Sequence, residues 1–362
     1  IAIRYADCVC REVGRGEGQA CVVPGHQIAE MALCRLYLVT GDRKYLDQAK
    51  YFLDRRGKTS TRDLYTQSHL PVLEQDEAVG HAVRATYMYS GIADVAALTG
   101  DREYIATIDK IWDNIVSKKY YITGGIGATH QGEAFGKNYE LPNAEAYCET
   151  CAAIGNVYVN HRLFLLHGES KYYDVLERTL YNGLLSGVSL QGDGFFYPNP
   201  LESAGGYARK PWFGCACCPS NICRFIPSVP GYVYAVKDSD LYVNLYMPNT
   251  LTQKVNGKDV VLRQETSYPW DGDVEISIDK NAAYKITNSS VTSGDGEYFI
   301  LECRKGTGWD AYVDPGLLVY HVDKSKEGNV TFYRPSNNSN NSVISVSQTP
   351  YAIWNSYSQY IN

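Results

Sequence analysis

Several features that would commit a chain to one class of protein are missing from these 362 residues. No run of about 18 apolar residues occurs, so no membrane-spanning helix is predicted. No block of lysine and arginine occurs, and a formal net charge of -6 offers no electrostatic surface for nucleic acid or an anionic membrane. No HExxH sequence occurs, which leaves zincin-type peptidase chemistry unsupported. We expect a globular protein without nucleic-acid or membrane partners.

The N-terminal residues, Ile1 to Tyr5, lack both an initiating methionine and the pattern of a signal peptide. We expect the chain to begin inside a longer precursor or a longer domain, so that these residues say little about targeting. The compartment stays open between cytoplasm and periplasm. The oligomeric state is also open, and a homodimer is one option.

Cysteine is too sparse for a disulfide scaffold, at 11 residues in 362. Five of the cysteines lie in two short segments, Tyr147–Cys151 and Cys215–Pro219. The adjacent Cys217 and Cys218 cannot bridge each other without a strained ring, so we expect them to share a metal or stay reduced. Three thiolates and one carboxylate complete a tetrahedral shell for zinc. The predicted ligands are Glu149, Cys151, Cys217 and Cys218.

The spacing of these ligands predicts where they lie. Glu149 and Cys151 are two residues apart and do not share a helix face, so they belong at a helix start or in an extended turn. The Cys215–Cys218 segment belongs in a loop leading into a helix, whose dipole lowers the pKa of a thiol. A purely structural zinc site that ties two loops together is the alternative.

The aromatic residues are mostly tyrosine, with 31 Tyr against 9 Phe and 5 Trp. Tyrosine suits a sugar-binding cleft because its ring stacks on the sugar while its hydroxyl bonds to the rim. Amphipathic packing explains the same excess equally well.

Helical patterns fill the first part of the chain. An apolar helix is predicted over Ile28–Val39, and a turn with a glycine C-cap and an acidic N-cap follows it in Thr40–Leu46 and recurs in Thr99–Ile105. A third copy, Leu165–Tyr172, completes a repeat of about 60 to 70 residues, which predicts helical hairpins in a ring or solenoid. An (α/α)6-type toroid fits, but only about seven or eight helices are predicted where about twelve are needed. We therefore expect an N-terminally incomplete ring.

The pattern changes after Val233 to short alternating runs such as Leu241–Tyr246 and Val274–Ile278, separated by polar turns. This change predicts an α + β multidomain protein with a helical toroid domain in residues 1–235 and a β-sandwich in residues 236–362.

A glycine-rich segment, Thr123–Gly136, has five glycines in fourteen residues and is predicted to form a shaped loop. A glutamate in a loop is usually a solvated surface charge. The glycines and Phe135 beside Glu133 favour instead a carboxyl group held in a cleft, where its pKa can be raised for acid catalysis.

Several of these motifs together resemble one known family, the zinc-dependent β-L-arabinofuranosidases of glycoside hydrolase families 127 and 146. The resemblance extends from about Tyr5 to about Lys280. The motifs that carry it are Gly124–Gly127, Gly132–Gly136, Glu149–Ala152, Phe196–Glu202 and Cys215–Pro219.

The resemblance implies a retaining hydrolase that releases β-L-arabinofuranose from plant glycans or hydroxyproline-rich glycoproteins. It implies Cys217 as a zinc-bound nucleophile and Glu133 as the general acid/base, with Glu149, Cys151 and Cys218 as the other Zn²⁺ ligands.

The resemblance also implies that His26 and His81 contact sugar hydroxyl groups, although an isolated helical histidine is more often a satisfied core residue. Asp76 and Glu77, beside His81, are either supporting groups of the site or solvated charges.

Two alternatives to the hydrolase stay open. One is a non-catalytic carbohydrate-binding protein with a structural zinc, and the other is a toroidal sugar epimerase that uses His26 and His81 as acid and base. Beyond about Lys280 the resemblance ends. The segments Glu297–Glu302 and Gly308–Asp323 resemble instead a part of immune-inhibitor-type metallopeptidases.

Overall fold

The computed structural model describes residues 1–60 and 62–278, and beyond them only the backbone of six strands between residues 283 and 354. The chain divides into two compact units, Ile1–Tyr232 and Val233–Asn362. In the described residues the first unit is helical and the second consists of strands, so the predicted mixture of helix and sheet is confirmed. None of the described helices has the length and apolar content needed to cross a membrane.

The α-helices of the described residues are mostly two to five turns long, and α2 lies within one residue of its prediction. Their bounds are α1 Ala2–Glu12, α2 Ala29–Thr40, α3 Arg43–Arg55, α4 Ala82–Thr99, α5 Arg102–Asn114, α6 Thr150–His167, α7 Lys171–Arg178, α8 Cys217–Phe225 and α9 Pro230–Val233. Two π-helical turns, Ile115–Lys119 and Thr179–Leu184, continue α5 and α7.

The predicted repeated turn joins the helices in pairs. Gly41, Gly100 and Gly168 end α2, α4 and α6 in the left-handed conformation, with φ of 72°, 70° and 75°. Glycine adopts this conformation without a Cβ clash. The side chains of Asp42 and Asp101 then accept hydrogen bonds from backbone N–H groups and cap α3 and α5. The repeat is therefore confirmed as three hairpins, α2–α3, α4–α5 and α6–α7.

The first helices of the three hairpins form one layer, in which α4 packs against both α2 and α6. Small residues allow this close approach. A Cβ on Gly91 of α4 would come within 2.7 Å of the Glu30 Cβ on α2, and a Cβ on Gly155 of α6 would collide with Thr86 of α4. Both α4 and α6 are buried along most of their length. The consequence for the site is that the N-termini of α4 and α6, at His81 and Glu149, come close together.

The strands form three antiparallel or mixed sheets, of orders β1-β2, β3-β4-β5 and β10-β9-β11-β8-β7-β6. The predicted run at 274–278 corresponds to β5, whereas the predicted run at 241–246 is a strand only in its first half, because β2 ends at Val243. The bounds are β1 Tyr234–Lys237, β2 Asp240–Val243, β3 Asn249–Val255, β4 Lys258–Thr266, β5 Val274–Ile278, β6 Ala283–Ile286, β7 Glu297–Arg304, β8 Gly316–Asp323, β9 Val330–Tyr333, β10 Val343–Val346 and β11 Ala352–Trp354.

The predicted metallopeptidase-like segments fall partly outside the described residues. Only the backbone of β7 and β8 is described there, and Gly308–Pro315 is not. That resemblance stays a prediction.

Candidate active site and metal centre

The four predicted metal ligands converge. The Cys151 Sγ lies 3.4 Å from the Sγ atoms of both Cys217 and Cys218, which are 3.9 Å from each other. The Glu149 Oε1 lies 3.3 Å from the Cys217 Sγ and 3.5 Å from the Cys218 Sγ. All three cysteines are reduced. Two stretches separated by more than sixty residues thus supply one compact group of donor atoms.

This group has the dimensions and chemistry of a metal centre. A tetrahedral zinc with sulfur at about 2.3 Å and oxygen at about 2.1 Å keeps its ligand atoms roughly 3.5 to 3.8 Å apart. The observed separations of 3.3–3.9 Å bracket that range. Three sulfurs with one carboxylate also favour a soft divalent cation over magnesium or calcium. In addition, Oε2 of the buried Glu149 carboxyl has no hydrogen-bond partner among the described residues, as expected of an oxygen that binds a cation.

The local backbone explains how these ligands come together. Glu149 is the N-cap of α6, and Cys217 opens α8, so both predicted helix starts are confirmed. Cys148, just before Glu149, has φ of 41°, an uncommon conformation for a residue with a side chain. It is held there because its N–H donates to the Gly127 carbonyl at 2.8 Å and its carbonyl accepts from the Asn199 side chain at 2.8 Å.

The surroundings of the three sulfurs favour negative charge on only one of them. The pKa of Cys217 is lowered because the thiols of Cys151 and Cys218, and the Tyr197 hydroxyl at 2.9 Å, donate toward its sulfur. The pKa of Cys151 is raised, chiefly by its neighbour Cys217, and burial raises the pKa of Cys218. Burial also raises the pKa of Glu149. Because Cys217 is partly exposed while Cys151 and Cys218 are buried, it is also the sulfur that a ligand can reach.

Glu133 is held in the cleft, so its interpretation as a solvated surface charge is wrong. Its Oε2 lies 2.8 Å from the His81 Nε2, and its Oε1 accepts a 2.8 Å hydrogen bond from the Tyr147 hydroxyl. Gly132 and Glu133 both have positive φ, 71° and 50°. Two consecutive left-handed residues turn the chain sharply at this point. The carboxyl group is therefore fixed by both of its oxygens.

His81 links α4 to Glu133. It is the N-cap of α4, and its Nδ1 accepts from the backbone N–H groups of Val83 and Arg84 at 3.2 and 3.4 Å. The ring proton consequently sits on Nε2, which donates to Glu133. Burial lowers the pKa of His81 and keeps the ring neutral. Its predicted sugar contact stays a prediction, whereas its contact with Glu133 was not foreseen.

His26 lies in a loop fixed by two arginines. Arg56 donates to the Pro24 carbonyl at 2.9 Å, and Arg84 donates to the Gly25 carbonyl. Burial lowers the pKa of His26 to about 4, so the ring is neutral. The ring packs edge-on against Tyr87, with centroids 5.8 Å apart. Its buried Nδ1 has no hydrogen-bond partner in the described part of the chain.

One cavity of about 560 Å³ joins these groups. Residues with predicted roles that line it are His26, His81, Glu133, Glu149, Cys151 and Cys217. Four tyrosines, Tyr65, Tyr87, Tyr147 and Tyr197, also line it and were not singled out from the sequence. Two of these tyrosines lie in segments that the sequence marks as functional. Tyr147 directly precedes the first cysteine pair, and Tyr197 lies in the segment Phe196–Glu202.

Comparison with known proteins finds similarity to arabinofuranosidases in sequence and in structure. A profile described as the "Beta-L-arabinofuranosidase, GH127 catalytic domain" matches residues 1–231, and a profile for the GH127 middle domain matches residues 240–289. A "Non-reducing end beta-L-arabinofuranosidase" of Bifidobacterium longum subsp. longum is 36% identical over 328 residues. That alignment covers 81% of this chain and 49% of the relative.

Two solved structures are similar over nearly the whole chain. A GH127 β-arabinofuranosidase is 60% identical, with a TM-score of 0.76 over 97% of this chain and 53% of its own. A GH127 β-L-arabinofuranosidase from Geobacillus stearothermophilus T6 is 30% identical, with a TM-score of 0.77 over 95% of this chain and 72% of its own. The chain spans about half the length of the curated relative it matches.

Proposed function

Because the chain belongs to the β-L-arabinofuranosidases of glycoside hydrolase family 127, we propose that it is a retaining glycoside hydrolase that releases β-L-arabinofuranose from plant glycans or glycoproteins. One observation carries this proposal. A reachable sulfur with a lowered pKa, Cys217, and a carboxyl group fixed by two hydrogen bonds, Glu133, line the same cavity. A nucleophile and an acid/base in one cavity are what a double-displacement glycosidase requires.

The proposed cation is Zn²⁺, held by Glu149, Cys151, Cys217 and Cys218. When bound, zinc keeps a coordinated thiol deprotonated at neutral pH. The donor set supports this choice, because three sulfurs and one oxygen separated by 3.3–3.9 Å fit a tetrahedral zinc shell.

The proposed reaction has two displacements. In the first, the Cys217 sulfur attacks the anomeric carbon, the C–S bond forms as the glycosidic C–O bond breaks, and Glu133 gives its proton to the departing oxygen. In the second, the Glu133 carboxylate takes a proton from water, whose oxygen attacks the anomeric carbon while the C–S bond breaks and the sulfur recovers its electron pair. Two inversions retain the configuration.

The neighbours of Glu133 support its two roles. His81 and Tyr147 contact one carboxyl oxygen each, at 2.8 Å, which keeps the group in place for both proton transfers. His26 and His81 are the proposed contacts to sugar hydroxyl groups. The proposed sugar contact of His26 is supported by its Nδ1, which has no hydrogen-bond partner among the described residues and which a sugar hydroxyl would satisfy.

The proposed architecture is an incomplete (α/α) toroid in residues 1–235 followed by a β-sandwich in residues 236–362. The three hairpins with α2, α4 and α6 in one layer support the first assignment. The antiparallel pairing of β3, β4 and β5 supports the second.

Product stereochemistry tests the function. The full-length protein is given a synthetic β-L-arabinofuranoside, and ¹H NMR follows the first anomer of arabinose released. We expect the β anomer first, and its loss in Cys217→Ser but not in Cys223→Ser, which changes an exposed thiol of the same helix. The α anomer first would contradict retention. Binding without turnover would favour the carbohydrate-binding alternative, and a changed sugar without bond cleavage would favour the epimerase.

A further inference from the structure

A buried lysine lies behind the loop that carries Glu133. The side chain of Lys119 is 3% exposed. Its Nζ lies 2.7 Å from the Glu77 Oε1, 2.7 Å from the Ala78 carbonyl oxygen and 3.0 Å from the Gly136 carbonyl oxygen. An ammonium group has three protons to donate, and all three have acceptors here. A buried charge with this full set of partners is held firmly in one place.

The three acceptors belong to two segments, Glu77–His81 and Glu133–Gly136. These segments are joined directly, because the Phe135 N–H donates to the Gly80 carbonyl at 2.9 Å and His81 pairs with Ala134 in an antiparallel bridge. One end of this short pairing carries the contact between His81 and Glu133. The other end is closed by Lys119, which contacts both segments at once.

The pairing needs such support because it begins beside two residues in an unfavourable backbone conformation. Glu133 is left-handed, with φ of 50°, and follows the left-handed Gly132. Such residues persist where the surroundings hold them. The C-terminal end of α5 provides these stabilising contacts. Lys119 is the last residue of the π-helical turn after α5, and the Asn114 side chain accepts a hydrogen bond from the Ala78 N–H at 3.0 Å. π-helical turns often occur at functional sites.

We propose that Lys119 is a positioning residue for Glu133. Its ammonium group fastens the two segments together, so that the His81 Nε2 and the Glu133 Oε2 stay within hydrogen-bonding distance and the carboxyl group faces the cavity. This role rests on the proposed function, because positioning matters only if Glu133 transfers a proton. It also gives Glu77 a role, as the carboxylate partner of Lys119, while Asp76 is exposed.

Leaving-group dependence tests the proposal. An acid catalyst is needed for an alkyl aglycone, which leaves as a strong base, and hardly for a 4-nitrophenyl aglycone. Lys119→Met keeps the length of the side chain and removes its charge. We expect its kcat/KM, which reports the first displacement, to fall at least tenfold more on a methyl β-L-arabinofuranoside than on the 4-nitrophenyl compound. Lys118→Met is the matched control and should lose nothing on either substrate.

A purely structural role for Lys119 predicts no dependence of the activity loss on the leaving group. Loss of folded protein lowers the activity on both substrates by the same factor, and that result, or no loss at all, would overturn the proposal. If Lys119→Met does not fold, Glu77→Gln replaces it. That variant keeps a hydrogen-bond acceptor at a half-exposed position, and we expect the same leaving-group dependence with a smaller loss.

A crystallographic comparison separates this proposal from the function on which it rests. In crystals of Lys119→Met we expect the His81 Nε2 and the Glu133 Oε2 to lie beyond hydrogen-bonding distance, whereas Lys118→Met keeps the contact. An unchanged contact in Lys119→Met would refute the positioning role whatever the enzyme does. Inactivity of the wild-type protein on both arabinofuranosides would refute the proposed function alone.

Discussion

The hydroxyl oxygen of Tyr197 lies 2.9 Å from the sulfur of Cys217, the one sulfur of the cluster that is partly exposed. The two residues come from different segments, Tyr197 from the loop after the second π-helical turn and Cys217 from the start of α8. An O–H group that donates to a sulfur stabilises its thiolate form. Tyr197 therefore favours the thiolate form of Cys217, the proposed nucleophile, from the side of the cavity.

Removal of the Tyr197 hydroxyl should weaken Cys217 as the proposed nucleophile. A hydrogen bond to a charged group contributes about 1.5 to 3 kcal/mol, so we expect Tyr197→Phe to lower kcat roughly 10- to 100-fold. Because the pKa of Cys217 is lowered in part by this contact, its loss should move the acid limb of Cys217 alkylation to higher pH. Steady-state kinetics and iodoacetamide labelling measure the two effects. Tyr207→Phe, which removes a nearby hydroxyl bonded to the Pro198 carbonyl, is the control. An unchanged alkylation profile in Tyr197→Phe would argue against the contact.

The effect of removing the proposed acid/base, Glu133, on the rate should depend on the aglycone. Glu133→Gln keeps the contact with the His81 N–H but cannot transfer a proton, so we expect kcat to fall about 10²- to 10⁴-fold on an alkyl arabinofuranoside. The loss in the first displacement should be much smaller with an activated aryl aglycone. Burst and steady-state kinetics on both substrates measure this difference. Glu145→Gln, at an exposed position of the neighbouring loop, should behave as wild type. Near-normal turnover of the alkyl substrate by Glu133→Gln would exclude the assignment.

The convergence of the four proposed metal ligands was predictable from the sequence because thiols are rare and chemically specific. Cys151, Cys217 and Cys218 stand out by residue type and clustering alone, and Glu149 by its spacing from Cys151. The hairpin turns were predictable for a similar reason, since Gly41–Asp42 and its repeats are local signals for helix ends.

The partners of Glu133 were not predictable in this way. His81 and Glu133 meet through the pairing of two segments distant in sequence, and the close packing of α4 on α6 at Gly155 brings Tyr147 near them. No local pattern in the sequence encodes either approach. The contacts of Lys119 were not predictable for another reason. The run Ser117-Lys118-Lys119 resembles a solvated helix end, and only the paired segments around Gly136 bury its second lysine.

Removal of the metal should affect stability as well as chemistry. We expect one zinc per chain by inductively coupled plasma mass spectrometry, and loss of that zinc in Cys218→Ala. Four buried or partly buried donor atoms that lose their cation are left with mutually repelling charges or extra protons, so the melting temperature should also fall. Cys223→Ala, on the same helix but exposed, should keep both the zinc and the melting temperature. A Cys218→Ala variant with a full complement of tightly bound zinc would contradict the proposed ligand set.

A half-buried histidine away from the cavity, His161, should make the fold sensitive to acid. His161 contacts the Tyr173 hydroxyl at 2.9 Å, and because that hydroxyl donates to the Tyr232 carbonyl at 2.8 Å, the ring must donate its Nδ1 proton. Burial lowers the pKa of His161 to about 4. The unfolded chain, with a histidine pKa of about 6.5, binds the second ring proton more readily than the folded chain. The stabilising contribution is thus fully present above about pH 6.5 and is lost as the pH falls toward about 4.

The size of this effect follows from the shift. It amounts to at most about 3 kcal/mol of unfolding free energy between pH 6.5 and pH 4. His26, which is also half-buried and has its pKa lowered to about 4, adds a further share in the same direction, and solvent screening reduces both shares. Urea denaturation at several pH values measures the slope. His161→Gln retains a donor for Tyr173 but has no titrating ring, so its unfolding free energy should depend less steeply on pH across this window. A slope identical to that of wild type would mean that His161 is hydrated in the folded protein and titrates as it does in the unfolded chain.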